Sequence, residues 1–136
     1  MQLLLRRNVR LHVFPMMQQT ITSNHLLAVT SDTNSIRWPR FRITRPPVLG
    51  RLLLEQADGS TQLVTSFTQR DLNQSLLIYE HTEPLADLSV NDNFVSDVSA
   101  DLSDPLQSKV FHIVISVATM AEGGLNRYLG KSSEFI

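Results

Sequence analysis

Between residues 41 and 81 apolar and polar positions alternate in short runs, and the runs are separated by turn residues. Phe41-Arg42-Ile43-Thr44-Arg45 stops at Pro46-Pro47, turns at Gly50, resumes as Arg51-Leu52-Leu53-Leu54-Glu55, and turns again at Asp58-Gly59. A third run, residues 62–67, leads into a polar segment over 68–75 and then into an apolar run over 76–79. Run, turn, run, turn, run is the pattern of consecutive β-hairpins. Within the polar segment Thr68 is placed to cap one helical turn over 68–73.

The flanks continue the pattern. Val9, Leu11 and Val13 alternate with Arg10, His12 and Phe14, which predicts a first strand ending at Pro15. Residues 16–24 read as polar and turn-like, residues 25–30 as a short strand, and residues 31–35 as a Ser/Asp/Asn loop. Residues 36–44 form the next predicted strand, with Trp38 and Phe41 as core anchors. Pro39 lacks a ladder donor and predicts an edge strand or a bulge there. Phe94 and Val98 share one face with a polar Ser96 between them, a weaker strand than its neighbours. Residues 109–118 are apolar on both faces, with Phe111, Ile113, Ile115 and Val117 on one and Val110, Val114 and Ala118 on the other, which predicts a central strand. About seven strands and no long helical period predict an all-β sandwich with one short helical turn. One domain covers residues 1–119, and residues 120–136 lose the alternation and read as a linker or the start of a further module.

Composition narrows the class. A chain of 136 residues with 42% hydrophobic residues can build one core without staples. No apolar run reaches the roughly 18 residues that span a bilayer, so no membrane contact is expected of this segment. The opening residues read as a strand, not as an export signal. Cysteine is absent, which excludes disulfides and thiolate metal sites. The charge is segregated along the chain. Residues 1–70 carry nine Arg against three acids, whereas residues 71–108 carry eight acids and no Lys or Arg. Arg37, Arg40, Arg42, Arg45 and Arg51 cluster around one strand and its turn, with Arg40 and Arg42 on one face and Phe41 and Ile43 inward. They are either a solvated face that guards a sheet edge or a contact for sulfated glycans or an acidic protein. A net charge of −1 and no aromatic residues within a basic groove argue against nucleic acid.

Catalytic chemistry finds no foothold. His12, His25, His81 and His112 have no ligand spacing, no Gly-x-Ser-x-Gly elbow is present, and Gly123-Gly124 is not a phosphate loop. No catalytic, cofactor or metal residue is expected.

One further set of matches is more specific. Ile43-Thr44-Arg45-Pro46-Pro47-Val48-Leu49-Gly50-Arg51-Leu52, then Ser66-Phe67-Thr68-Gln69-Arg70-Asp71-Leu72-Asn73, then Leu77-Ile78-Tyr79-Glu80-His81, then Asp92-Asn93-Phe94, and a final β run over 111–117 occur in order. Together they resemble the chondroitin sulfate proteoglycan repeat, most closely over residues 36–118. Where that family carries a glycine after the Asp-Leu-Asn segment, this chain has Ser75. His81-Thr82-Glu83 stands for its His-Asp-Gly, and Ser96 replaces a second aromatic residue. The resemblance implies a cadherin-like or immunoglobulin-like sandwich: a non-catalytic module in the ectodomain of a single-pass cell-surface proteoglycan, on the extracellular face of the plasma membrane. Such a module serves as a spacer and as a binding surface in adhesion and migration. Implied partners are matrix proteins such as collagens, growth factors and neighbouring repeats of the same chain. A Met1 without an export signal would then mark a fragment of a longer ectodomain. Asn73-Gln74-Ser75 is the only N-glycosylation sequon, and outside the cell Asn73 would be its acceptor. Asn91-Asp92-Asn93 is similar to the calcium-binding linker of cadherins, which leaves a calcium-dependent adhesion domain as the alternative. No Ser-Gly dipeptide is present for a chondroitin chain.

Overall fold

The computed structural model describes residues 2–31 and 37–117. The expected linker over 120–136, and most of the loop over 31–35, lie outside the described residues. Among the described residues there are eleven strands and one short helix. The strands are β1 (Leu3–Asn8), β2 (Leu11–Val13), β3 (Gln18–Ile21), β4 (Leu26–Thr30), β5 (Arg40–Arg45), β6 (Gly50–Glu55), β7 (Thr61–Leu63), β8 (Ser66–Thr68), β9 (Leu77–His81), β10 (Ser89–Ser99) and β11 (Leu106–Ser116). The helix α1 (Gln69–Asn73) lies between β8 and β9.

They form three sheets: β1-β4; β2-β11-β10-β5-β8; and β3-β9-β6-β7. Every pairing is antiparallel except β2 on β11. One core cluster draws on all three sheets, from Leu3 and Ala28 through Leu52 and Tyr79 to Phe94 and Ile113. The expected all-β sandwich is what forms. Its centre is a run of phenylalanines. Phe41 stacks on Phe67 with centroids 4.8 Å apart, Phe67 meets Phe94 edge-on at 6.2 Å, and Phe94 lies 5.3 Å from Phe111. Each ring comes from a different strand of the five-stranded sheet, and aromatic pairs of this geometry add to the area they bury.

Several sequence expectations are revised. Residues 16–24 are not simply a turn, because Gln18–Ile21 pairs with β9 as β3; its one buried apolar residue, Ile21, is too little for a visible period. The opening segment makes a strand of its own, β1, whose register slips between Leu5 and Arg7 before the chain moves from β4 to β11. Residues 62–67 are two strands in different sheets, with the crossing at Val64-Thr65. Trp38 is not a core anchor: it is 48% exposed, whereas Phe41 is fully buried. β5 is not an edge, since β10 and β8 flank it, and Pro39 falls just before its first residue. There the missing N–H costs the ladder nothing, and the Pro39 carbonyl accepts the Gln69 N–H at 2.9 Å.

The strand that looked weakest, β10, is eleven residues long and central. Its inward positions Asp92, Phe94, Ser96 and Val98 are all buried, so two polar residues sit in the core row and mask the alternation. Val117 leaves the core face of β11 and is exposed. The expected helical turn is present with a full capping box: the Asp71 N–H donates to Thr68 Oγ1 at 3.2 Å, and the Thr68 N–H donates to Asp71 Oδ2 at 2.9 Å.

Candidate functional site

Among the described residues Asp92 is the most heavily hydrogen-bonded side chain. It lies 4% exposed near the start of β10, and its carboxylate accepts four hydrogen bonds. Oδ1 takes the Val48 and Asn93 N–H groups, both at 2.9 Å. Oδ2 takes the Leu49 N–H at 3.0 Å and the Tyr79 hydroxyl at 2.7 Å. A buried carboxylate is tolerable only when its lone pairs are filled in this way. Burial, the hydrogen bond and the charge of Asp92 push the Tyr79 phenol well above the ordinary tyrosine range.

Gly50 completes the arrangement. A Cβ on it would collide with the Glu80 carbonyl and lie 2.6 Å from the Tyr79 ring. The Pro-Pro turn, the tyrosine strand and the Asp-x-Phe strand are therefore three parts of one lock. In the sequence Asp92 stands out only within Asp92-Asn93-Phe94 and Asn91-Asp92-Asn93. The signal available was its parity with Phe94 and Val98, which places it inward.

The arginine cluster spreads over two sheets. Arg42 pairs with Asp97 at 3.0 Å, Arg51 with Glu80 at 2.7 Å, and Arg37 with Asp101 at 3.7 Å. Arg45 donates to Asn93 Oδ1 at 2.7 Å. Arg40 makes no ion pair among the described residues, and beside it lies a shallow concavity lined by Arg37, Trp38, Arg40, Ser99, Ala100 and Asp101. The charge segregation of the sequence is thus partly cancelled in space: arginines of the first half meet acids of the second across neighbouring strands.

Asn73 is the last residue of α1 and is exposed. Its Oδ1 accepts from Gln69 Nε2 at 3.0 Å.

The cadherin-like family profile matches residues 4–115, nearly all of the sandwich just described. The chain belongs to the cadherin-like family. It is also similar to chondroitin sulfate proteoglycan 4 of Mus musculus, 35% identical over 72 residues, and of Homo sapiens, 32% identical over 80 residues. These alignments cover 53% and 59% of the chain but only 3% of each relative, so the chain spans a small fraction of the curated relatives' length. No solved structure matches it. The resemblance to the chondroitin sulfate proteoglycan repeat agrees with both findings.

In this cadherin-like domain the histidines are dispersed. His81 is buried and accepts the Met16 N–H on Nδ1 at 2.8 Å, which fixes it as a structural strap between β9 and the turn after β2. His25 is partly buried, which lowers its pKa, and it accepts the Thr22 N–H at 3.1 Å. Among the described residues no group of three or more His, Asp or Glu is placed to hold a metal ion. The calcium-linker likeness of Asn91-Asp92-Asn93 rests on a carboxylate whose two oxygens already face protein donors. Among the described residues no helix is long and apolar enough to cross a membrane.

Proposed function

We propose that this domain is a non-catalytic extracellular module of a cell-surface proteoglycan, acting as a spacer and as a binding surface for matrix proteins or growth factors in adhesion and migration. The observation that carries the reading is the path of the chain. Leu11 and Val13 run parallel to Ile113 and Ile115, and Asn8 reaches the Val110 carbonyl. β1 and β2 therefore travel the same way as β11. The first strand starts at the end where β11 starts, and Val117 leaves from the other, donating its N–H to the Leu88 carbonyl. An eleven-residue strand separates the two ends by roughly 35 Å. A domain threaded in this way adds its full length to a tandem array.

The binding surface best supported is the outward row of β5. Among the described residues Arg40 makes no ion pair there, next to the exposed Trp38, and the chemistry suits sulfated glycans or an acidic protein segment.

Antibodies against residues 2–117 should stain intact cells that express the complete open reading frame. The secreted domain should bind immobilised matrix proteins, and Arg40→Glu should weaken capture on a sulfated-glycan surface several-fold. Staining only after permeabilisation would end the reading.

A further inference from the structure

We propose that Asn73 carries an N-linked oligosaccharide, and that this glycan stands beside the edge of β4 that Gln69, and no described strand, holds. The inference rests on the extracellular reading above. The sequon Asn73-Gln74-Ser75 supplies the acceptor amide and the hydroxyl two residues on. Both side chains are exposed in the folded domain. Asn73 uses only Oδ1 internally, as an acceptor for Gln69 Nε2. Its Nδ2, the atom to be modified, makes no hydrogen bond among the described residues. Modification forms a bond from Nδ2 to C1 of the sugar as the C1–O bond to a lipid-diphosphate donor breaks, and one amide proton leaves. Oδ1 keeps its lone pairs, so the Gln69 contact survives. The domain is built to accept the glycan without unmaking anything.

The surroundings give the glycan a place. Among the described residues β4 is paired on one side only, with β1. On its other side the buried Gln69 side chain stands in for a strand: Oε1 takes the Ala28 N–H at 2.8 Å and Nε2 donates to the Leu26 carbonyl at 3.3 Å. Asn73 lies directly against this amide. A sugar on Nδ2 is carried next to this edge, and an edge held by a single side chain is a liability in any β-protein.

Ser75 decides how to test this. It sits in the left-handed region at φ 59°, a conformation that glycine adopts without strain. Ser75→Gly therefore removes the hydroxyl and preserves the turn, and Ser75→Thr retains the sequon. The full 136-residue chain should be expressed in mammalian cells behind an added export signal, with a reporter sequon appended after Ile136. Peptide mass spectrometry after peptide N-glycosidase in heavy-oxygen water should mark Asn73 in the wild type and in Ser75→Thr. The mark should disappear in Ser75→Gly and Asn73→Gln. A secreted protein with the reporter modified and Asn73 unmodified overturns the inference and leaves the extracellular reading intact. Failure of the native full-length protein to be exported overturns the reading beneath it. Enzymatic deglycosylation of the wild type should raise its tendency to self-associate in light scattering, and an unchanged profile removes the edge-covering role.

Discussion

The Tyr79 hydroxyl donates to Asp92 Oδ2 at 2.7 Å, and the two residues stand on different sheets of the sandwich. The same carboxylate holds the Val48 and Leu49 N–H groups of the turn that leads into β6. One buried acid thus ties two sheets and a turn together, and its removal orphans four donors. Asp92→Ala should cost about 3–5 kcal/mol, since each buried donor left unpaired costs on the order of 1–3 kcal/mol. Tyr79→Phe, which leaves the turn bonds in place, should cost only about 1–2 kcal/mol. Urea denaturation of the two variants checks both. A loss below about 1 kcal/mol for Asp92→Ala would contradict the lock.

The same contact makes stability fall in alkali. The folded pKa of Tyr79 is raised above that of an unfolded tyrosine, so its contribution is fully present below about pH 10. Above that the unfolded chain releases the phenolic proton while the folded chain retains it, and stability declines as pH rises. Thermal unfolding between pH 8 and 11 should show the decline in the wild type and a shallower one in Tyr79→Phe. Equal slopes would exclude Tyr79 as its source.

Gly50 is fixed by the close approach of another strand and not by its own dihedral angles. Gly50→Ala drives a methyl group into the Glu80 carbonyl and the Tyr79 ring, and backbone cannot step aside as a flexible side chain can. The expected loss is about 3 kcal/mol, at the upper end for overpacking. Gly59 is the contrasting case: it has φ 87° and open space around its Cα. Gly59→Ala should cost about 1 kcal/mol from strain alone. Melting temperatures should rank the two in that order.

The ion pairs should contribute little. Arg51 is mostly exposed beside Glu80, as Arg42 is beside Asp97. Either arginine changed to alanine should shift stability by less than about 1 kcal/mol, and by still less in high salt. A loss of several kcal/mol in a denaturant titration would show that the crossing of charges is structural and not incidental.

Gln69 should matter far more than an average glutamine. Its amide serves the Ala28 N–H and the Leu26 carbonyl in a buried position, so Gln69→Ala should cost about 2–3 kcal/mol. Thr68→Ala, which removes only the cap of α1, should cost about 1 kcal/mol. Hydrogen exchange at Ala28 should rise sharply in the first variant and hardly at all in the second.

Local patterns determined a good deal by themselves. The period of two along residues 40–45, the apolar runs over 76–79 and 109–117, the turns at Pro46-Pro47 and Asp58-Gly59, and the Thr68-x-x-Asp71 cap are set by interactions within a few residues, and all are legible in the chain. Only the tertiary structure decided which runs share a sheet, because pairing depends on partners far away in sequence. It split residues 62–67 between two sheets, recruited Gln18–Ile21 to β9 despite one buried apolar side chain, and left Trp38 outside while burying Asp92 and Ser96. Parity with Phe94 places Asp92 inward, but the donors that make its burial tolerable are supplied by Val48, Leu49 and Tyr79 only once the sheets have closed.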